Sequence, residues 1–162
     1  LYQDSYFFAY RDPYVLKFNY NGEEISLINV HYKCCNGSED RREQASQSLY
    51  NYIQTNMPND KVIIVGDYND ELIDNHNVFD VFINDNNYLF TDMSIASGES
   101  AFWSFPSWPS HIDHILISNE LFNNHILTST VLIDHSMYEY FSTYEEFISD
   151  HRPVGISLSI TP

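Results

Sequence analysis

Four short clusters hold the side chains of this chain that could do chemistry: Asn29-Val30-His31, Gly66-Asp67-Tyr68-Asn69-Asp70, Ser110-His111-Ile112-Asp113-His114 and Ser149-Asp150-His151-Arg152-Pro153. Each sets acid, amide or imidazole groups beside a β-rich run, the materials of proton transfer and cation binding. Taken singly, such residues are turn formers or hydrogen-bonded structural groups. Three simpler readings fail on spacing. An EF-hand starting at Asp67 would place Leu72 where a Gly must make the turn. Cys34-Cys35, with no second Cys pair, does not supply a structural zinc site, and a strand would put His111 and His114 on opposite faces. Five scattered glycines do not make a phosphate-binding loop.

The elements that must position these clusters alternate between strand and helix. Val15–Tyr20 and Ile25–Val30 read as strands joined at Asn21-Gly22, the pair that tolerates the positive φ angles of a tight hairpin turn. Asp40, with Glu43 three residues on, predicts a capped helix start. Ala45, Leu49, Tyr52 and Ile53 then share one face to about Asn56. Lys61–Val65 is a short apolar run opening abruptly into the polar 66–70 cluster, as a buried strand does. A short helix is expected over Asn77–Asn84, a strand over Ile112–Ser118, and a helical turn over Glu120–His125. Further strands are expected over Ser129–Asp134 and Val154–Ile160. Interleaved strands and helices predict an α/β or α+β class.

Composition narrows the function. Seven Lys and Arg against 23 Asp and Glu give a net charge of −16, which repels phosphate backbones and argues against a protein that grips nucleic acid through a basic face. With 43% apolar residues, 13 Tyr and 11 Phe, the chain has too much to bury for a disordered acidic tail. Val62-Ile63-Ile64-Val65 is its longest aliphatic run, far short of the ~20 residues of a membrane span. Neighbouring cysteines rarely bridge, because the bond is strained. Cys34 and Cys35 therefore say little about compartment.

In order and content the clusters resemble the signatures of the endonuclease/exonuclease/phosphatase superfamily, the fold of deoxyribonuclease I. The matches are Asn29-Val30-His31, Gly66-Asp67-Tyr68-Asn69-Asp70, Ile112-Asp113-His114-Ile115-Leu116 and Ser149-Asp150-His151-Arg152-Pro153-Val154, spread over most of the chain. The segment Phe102–Ser110 is similar to the aromatic stretch of a bacterial subgroup whose members are often exported, secreted or periplasmic. The resemblance implies a four-layer sandwich of two packed β-sheets flanked by helices, and Mg2+- or Mn2+-dependent hydrolysis of a phosphodiester. Within it His151 and Asp113 look like the paired imidazole and carboxylate. Asp67 resembles the carboxylate that orients or deprotonates water, Asn69 the amide donor to the oxyanion, Asp150 the metal carboxylate, and His31 a phosphate-facing or proton-donating imidazole. His76, His114, His125 and His135 match no role, and Trp103–Trp108 reads as loop packing rather than as a base-stacking platform.

One departure stands out. The family's upstream strand ending in a metal-binding Glu has no counterpart before His31, since Glu23-Glu24 falls in the expected hairpin turn. Residues 1–162 are therefore expected to be the C-terminal two-thirds of a single domain. An N-terminal segment or a second chain would complete the sheet and cation site, and this chain alone would hold the cation weakly. Within this frame the substrate is a nuclease's phosphodiester, with DNA a candidate partner. The alternatives are a phosphatase or phospholipase acting on inositol or sphingolipid headgroups and, in another class, a binding module that keeps the fold without the chemistry.

Overall fold

The computed structural model describes residues 4–132 and 140–160. Strands β1 (Tyr14–Tyr20) and β2 (Glu23–His31) form the expected antiparallel hairpin. Asn21 and Gly22 both have positive φ, 53° and 86°, as the primed turn requires. The chain crosses over through helix α1 (Glu39–Asn56) to β3 (Lys61–Asp67), parallel to β2. Short helix α2 (Asp80–Ile83), strand β4 (Tyr88–Phe90) and helix α3 (Met93–Ala96) lead to β5 (Asp113–Ser118), which runs antiparallel to both β3 and β4. The resulting sheet has the order β1-β2-β3-β5-β4. A second sheet pairs β6 (His125–Thr130) with β7 (Val154–Leu158), and helix α4 (Phe141–Phe147) precedes β7.

Strand alternation sorts the large sheet's side chains onto two cores. Ile28, Val30, Val62, Ile64 and Leu116 pack with Ala45, Leu49 and Ile53 of α1. Ile25, Ile63, Ile115 and Ile117 face the other way, against Val154, Ile156 and Leu158 of β7. The molecule is thus an α/β sandwich of two facing sheets, with helix against the outer face of the larger. On β1 the alternate residues Tyr14, Leu16, Phe18 and Tyr20 share the inter-sheet side with Ile25 and Leu27 yet are exposed.

Four expectations need correction. Asp40 does not cap α1: the helix already includes Glu39, Ser38 occupies the cap without a side-chain hydrogen bond, and Glu39 accepts instead from the Gly37 N–H. The helix expected over Asn77–Asn84 shrinks to Asp80–Ile83, because the Asn77 side chain bonds the Phe79 N–H and the Leu72 carbonyl in a turn. The strand expected over Ser129–Asp134 begins at His125 and ends at Thr130, and residues 133 and 134 lie outside the described residues. Finally, β3 continues through Gly66 to Asp67, so Asp67 belongs to the strand itself.

Candidate active site

The sheet register puts three of the expected residues in a row. His31 pairs with Asp67 across the parallel β2–β3 ladder, and Asp67 pairs with Asp113 across the antiparallel β3–β5 ladder. All three share the side of the sheet that carries Ile25, Ile63 and Ile115, so they end the inter-sheet layer and not the helix-covered one. Gly66 makes this close registry possible. Its φ is 147°, and a Cβ there would sit 1.9 Å from the Val30 carbonyl oxygen.

His151 comes from the opposite sheet, on the approach to β7. Its Nδ1 lies 2.7 Å from Asp113 Oδ2, although 38 positions separate the two residues. The Asp113 hydrogen bond raises the His151 pKa above its ordinary value against the opposing effect of burial, and the charges of Asp113, Asp67 and Asp150 add to the rise. The Phe105 ring lies 4.8 Å from the imidazole at 31°, bracing its face. Buried Ser104 ties both ends of the pair together. Its Oγ accepts the backbone N–H groups of Ile112 and Asp113 at 3.3 and 3.2 Å, and its carbonyl accepts that of Arg152 at 2.7 Å.

Asp67 and Asn69 meet through a turn and not through strand alternation. The strand ends at Asp67, and Asn69 takes a left-handed φ of 54°. The Asn69 backbone N–H donates to Asp67 Oδ1 at 2.8 Å, and its Nδ2 donates to Asp67 Oδ2 at 2.9 Å and to the Tyr32 carbonyl at 3.2 Å. Both amide hydrogens are thereby engaged, so in this geometry Asn69 orients Asp67. Burial first, and then the Asp113 charge, push the Asp67 carboxyl above the usual range, against the Asn69 N–H and the His151 and His31 rings. Sequence reasoning missed Arg11, whose Nη1 lies 3.1 Å from His31 Nε2 and whose Nη2 donates to the Tyr32 carbonyl at 2.9 Å. His31 Nε2 is 3.4 Å from Asp67 Oδ2. Asp150 is exposed beside His151.

A second imidazole cluster lies behind this end of the sheet. His111 and His114 do not diverge, as a strand would require, because β5 starts only at Asp113. Both rings reach the buried Asp92: His111 Nε2 is 3.0 Å and His114 Nδ1 2.6 Å from Oδ2. These three have the residue types and proximity of a metal site. Their hydrogens, however, are already placed. The Ser104 N–H points at His111 Nδ1, 3.3 Å away, which leaves the proton on Nε2 facing Asp92. His114 Nε2 faces the Asp70 carbonyl at 2.9 Å, an acceptor only, so His114 donates from both nitrogens as an imidazolium. Burial alone would lower the His114 pKa, but the Asp92 charge and hydrogen bond raise it. Burial likewise opposes ionisation of Asp92, yet both rings and the Ile115 N–H hold its carboxyl far below the usual range. The cluster is a closed ionic pin between the loop at Asp70 and the start of β5.

An open cleft of about 640 Å³ adjoins the site, with Asn69, His151, Phe105 and Trp108 on its walls. The aromatic stretch divides its labour. Trp103 packs as expected, donating from Nε1 to the Ile95 carbonyl at 3.0 Å, whereas Trp108 stands 77% exposed at the cleft. Glu39, Asp70, Glu71 and Asp74 make the cleft acidic. Buried Arg42 answers Asp70 at 2.7 Å. Burial and the neighbouring Asp70 charge leave Glu71 and Asp74 with raised carboxyl pKa values.

The same fold occurs in solved structures of low sequence identity. The crystal structure of D. rerio TDP2 complexed with single strand DNA product superposes with a TM-score of 0.66 at 12% identity, over 90% of this chain and 60% of that one. The human Nocturnin catalytic domain with bound sulfate anion gives 0.61 at 21% identity, over 91% and 51%. The 3′ phosphatase NExo from Neisseria, bound to product DNA hairpin, gives 0.61 at 19% identity, over 90% and 65%. The chain thus spans between half and two-thirds of the length of these relatives. No curated protein sequence matches it. The sequence pattern of the Endonuclease/Exonuclease/phosphatase family matches residues 3–151, nearly the whole chain, and the protein belongs to that family.

Proposed function

We propose that this chain carries the hydrolytic site of a divalent-metal-dependent phosphodiesterase of nuclease type. The observation that carries the reading is the row His31, Asp67, Asp113 across three strands, met from the facing sheet by His151. Asp113 accepts the His151 Nδ1–H, which fixes the tautomer, favours the imidazolium, and leaves Nε2 as the nitrogen for substrate. Asp67, held by both donors of Asn69, orients the attacking water, and its raised pKa suits it to accept a proton. Arg11 supplies a positive hydrogen-bond donor for phosphate oxygens, and His31, whose Nε2 faces Arg11 Nη1, sets an imidazole beside it.

Hard oxygen donors fit Mg2+ or Mn2+ at this end of the sheet: Asp67 and Asp113 lie opposite one another with incomplete neutralisation, and Asp150 is exposed next to His151. Asp150 would hold the cation, which, when bound, supplies charge stabilisation to the phosphoryl oxygens. With so few protein ligands, binding by this chain is weak. A further polypeptide segment, from the same product or a second chain, would complete the ligand set and cover the exposed row Tyr14, Leu16, Phe18 and Tyr20.

A second reading within the same chemistry is a small phosphoester, such as an inositol or sphingolipid headgroup. The acidic cleft and the net charge of −16 favour it over a polyanionic strand. Hydrolysis of plasmid DNA, bis(p-nitrophenyl) phosphate and lipid headgroup substrates, each with Mn2+ and with chelator, separates the two. Chelator-sensitive turnover is expected, and a chain inert toward all three in high Mn2+ contradicts the proposal.

A further inference from the structure

Cys34 and Cys35 lie in the loop between β2 and α1, on the wall of the cleft that Asn69 and His151 also line. Cys34 is half-buried and Cys35 exposed, and both are free thiols. Lys33 Nζ sits 3.5 Å from Cys34 Sγ and 3.3 Å from the Cys34 carbonyl oxygen. The neighbouring Cys35 thiol, then the Lys33 ammonium, lower the Cys34 pKa against burial, while the Cys34 thiol beside it raises that of Cys35. Cys34 thus lies against an ammonium with a second thiol next to it, the arrangement found at oxidation-sensitive cysteines.

The bond that would join them is a labile one. Adjacent α-carbons across a trans peptide are about 3.8 Å apart, below the roughly 4.4–6.8 Å of ordinary disulfides, so the bridge is strained and readily reduced. The loop is also wired to the cleft floor. Cys35 has φ 78°, and buried Arg42 donates from Nη1 to the Cys35 and Lys33 carbonyls at 3.1 and 2.9 Å, and from Nε to Asp70 at 2.7 Å. A shift at Cys35 therefore pulls on the residue next to Asn69.

We propose that Cys34 and Cys35 form a reversible hydroperoxide-modification site on the cleft wall, with Cys34 the attacking sulfur and Cys35 the resolving one. The Cys34 thiolate attacks the peroxide O–O bond. An S–O bond forms, the O–O bond breaks, and the departing oxygen takes a proton to leave as alcohol or water. The Cys35 sulfur then displaces hydroxide from the Cys34 sulfenic acid, forming the S–S bond, and the thiol proton leaves with the hydroxide as water. Two thiols are oxidised by two electrons and one hydroperoxide is reduced; a dithiol reverses the change.

The test exposes the 162-residue chain to equimolar hydrogen peroxide and follows its intact mass. The expected product has lost two hydrogens, maps to a Cys34–Cys35 bond, and reverts with dithiothreitol. Cys35→Ser should stop at a sulfenic acid trapped by dimedone, Cys34→Ser should react about tenfold more slowly, and Lys33→Met should react severalfold more slowly. Oxygen addition that dithiothreitol does not reverse, disulfide-linked dimers in place of the internal bond, or equal rates for the two serine variants would overturn the site. Its effect on hydrolysis rests on the phosphoesterase reading: the oxidised chain should turn over severalfold more slowly, with recovery on reduction. Absence of hydrolysis in both redox states would count against that reading alone, since the mass result decides the thiol chemistry by itself.

Discussion

Asp113 and Arg152 are fastened to the same residue, Ser104, which accepts the Asp113 N–H at its hydroxyl and the Arg152 N–H at its carbonyl. Because Arg152 follows His151 directly, Ser104 sets the distance across which the Asp113–His151 hydrogen bond forms. Ser104→Ala should keep the fold, cost about 1–2 kcal/mol for the lost acceptor, and lower turnover about tenfold through misplacement of the pair. Steady-state kinetics with thermal denaturation checks this; unchanged turnover would remove Ser104 from the positioning of the pair.

The His151 ring should titrate above its ordinary value, and Asp113→Asn should bring the midpoint down. The sign follows from charge: the carboxylate favours the imidazolium, and the neutral amide does not. Imidazole nitrogen shifts measured by NMR across pH 5–9 report it directly.

The Asp92–His114 ion pair should shape stability against pH. Its acid has a depressed pKa, so that contribution is present above the unfolded Asp value of about 3.9 and fades as pH falls. The imidazole has a raised pKa, so its contribution is complete below the unfolded value of about 6.5 and is lost as pH rises through the folded one. The difference in unfolding free energy between wild type and His114→Gln should therefore peak between about pH 4 and 6.5. Asp92→Ala strands a buried imidazolium and should cost about 3–5 kcal/mol by denaturant unfolding.

Gly66→Ala should fail more severely than its size suggests. The added methyl meets the Val30 carbonyl at 1.9 Å, within the ladder that aligns His31 with Asp67. A loss of at least about 3 kcal/mol is expected, and a variant with wild-type melting temperature would refute the close-approach argument.

Much of this was legible in residues whose spacing mirrors strand and turn geometry. Asn21-Gly22 announced the hairpin, and Asp113 with Ser149-Asp150-His151 announced the pair, because short motifs survive as motifs whatever lies between them. Asp92 gave no signal: it sits between a three-residue strand and a four-residue helix, and its partners lie 19 and 22 positions away. His111 lies ahead of β5, so strand alternation does not govern where its ring points. β6 was displaced because Ile126 and Leu127 are consecutive and both exposed, so the alternation that marks a half-buried strand is missing. Arg11 became visible only once the structure had shown where the other cations go. Lys17, Arg42 and Lys61 are paired with acids, Arg41 lies over the Tyr6 ring, and Arg152 is bonded to the carbonyls of the aromatic segment.

Phosphodiester hydrolysis by the Asp113–His151 pair is read out by bis(p-nitrophenyl) phosphate turnover in millimolar Mn2+, a concentration chosen to offset weak cation binding. Wild type is compared with Asp113→Ala and His151→Ala, each shown by circular dichroism to be folded. The expected result is Mn2+-dependent turnover that falls by about 10²–10⁴ in either variant. Turnover at the wild-type rate in both folded variants would show that the pair does not carry the reaction.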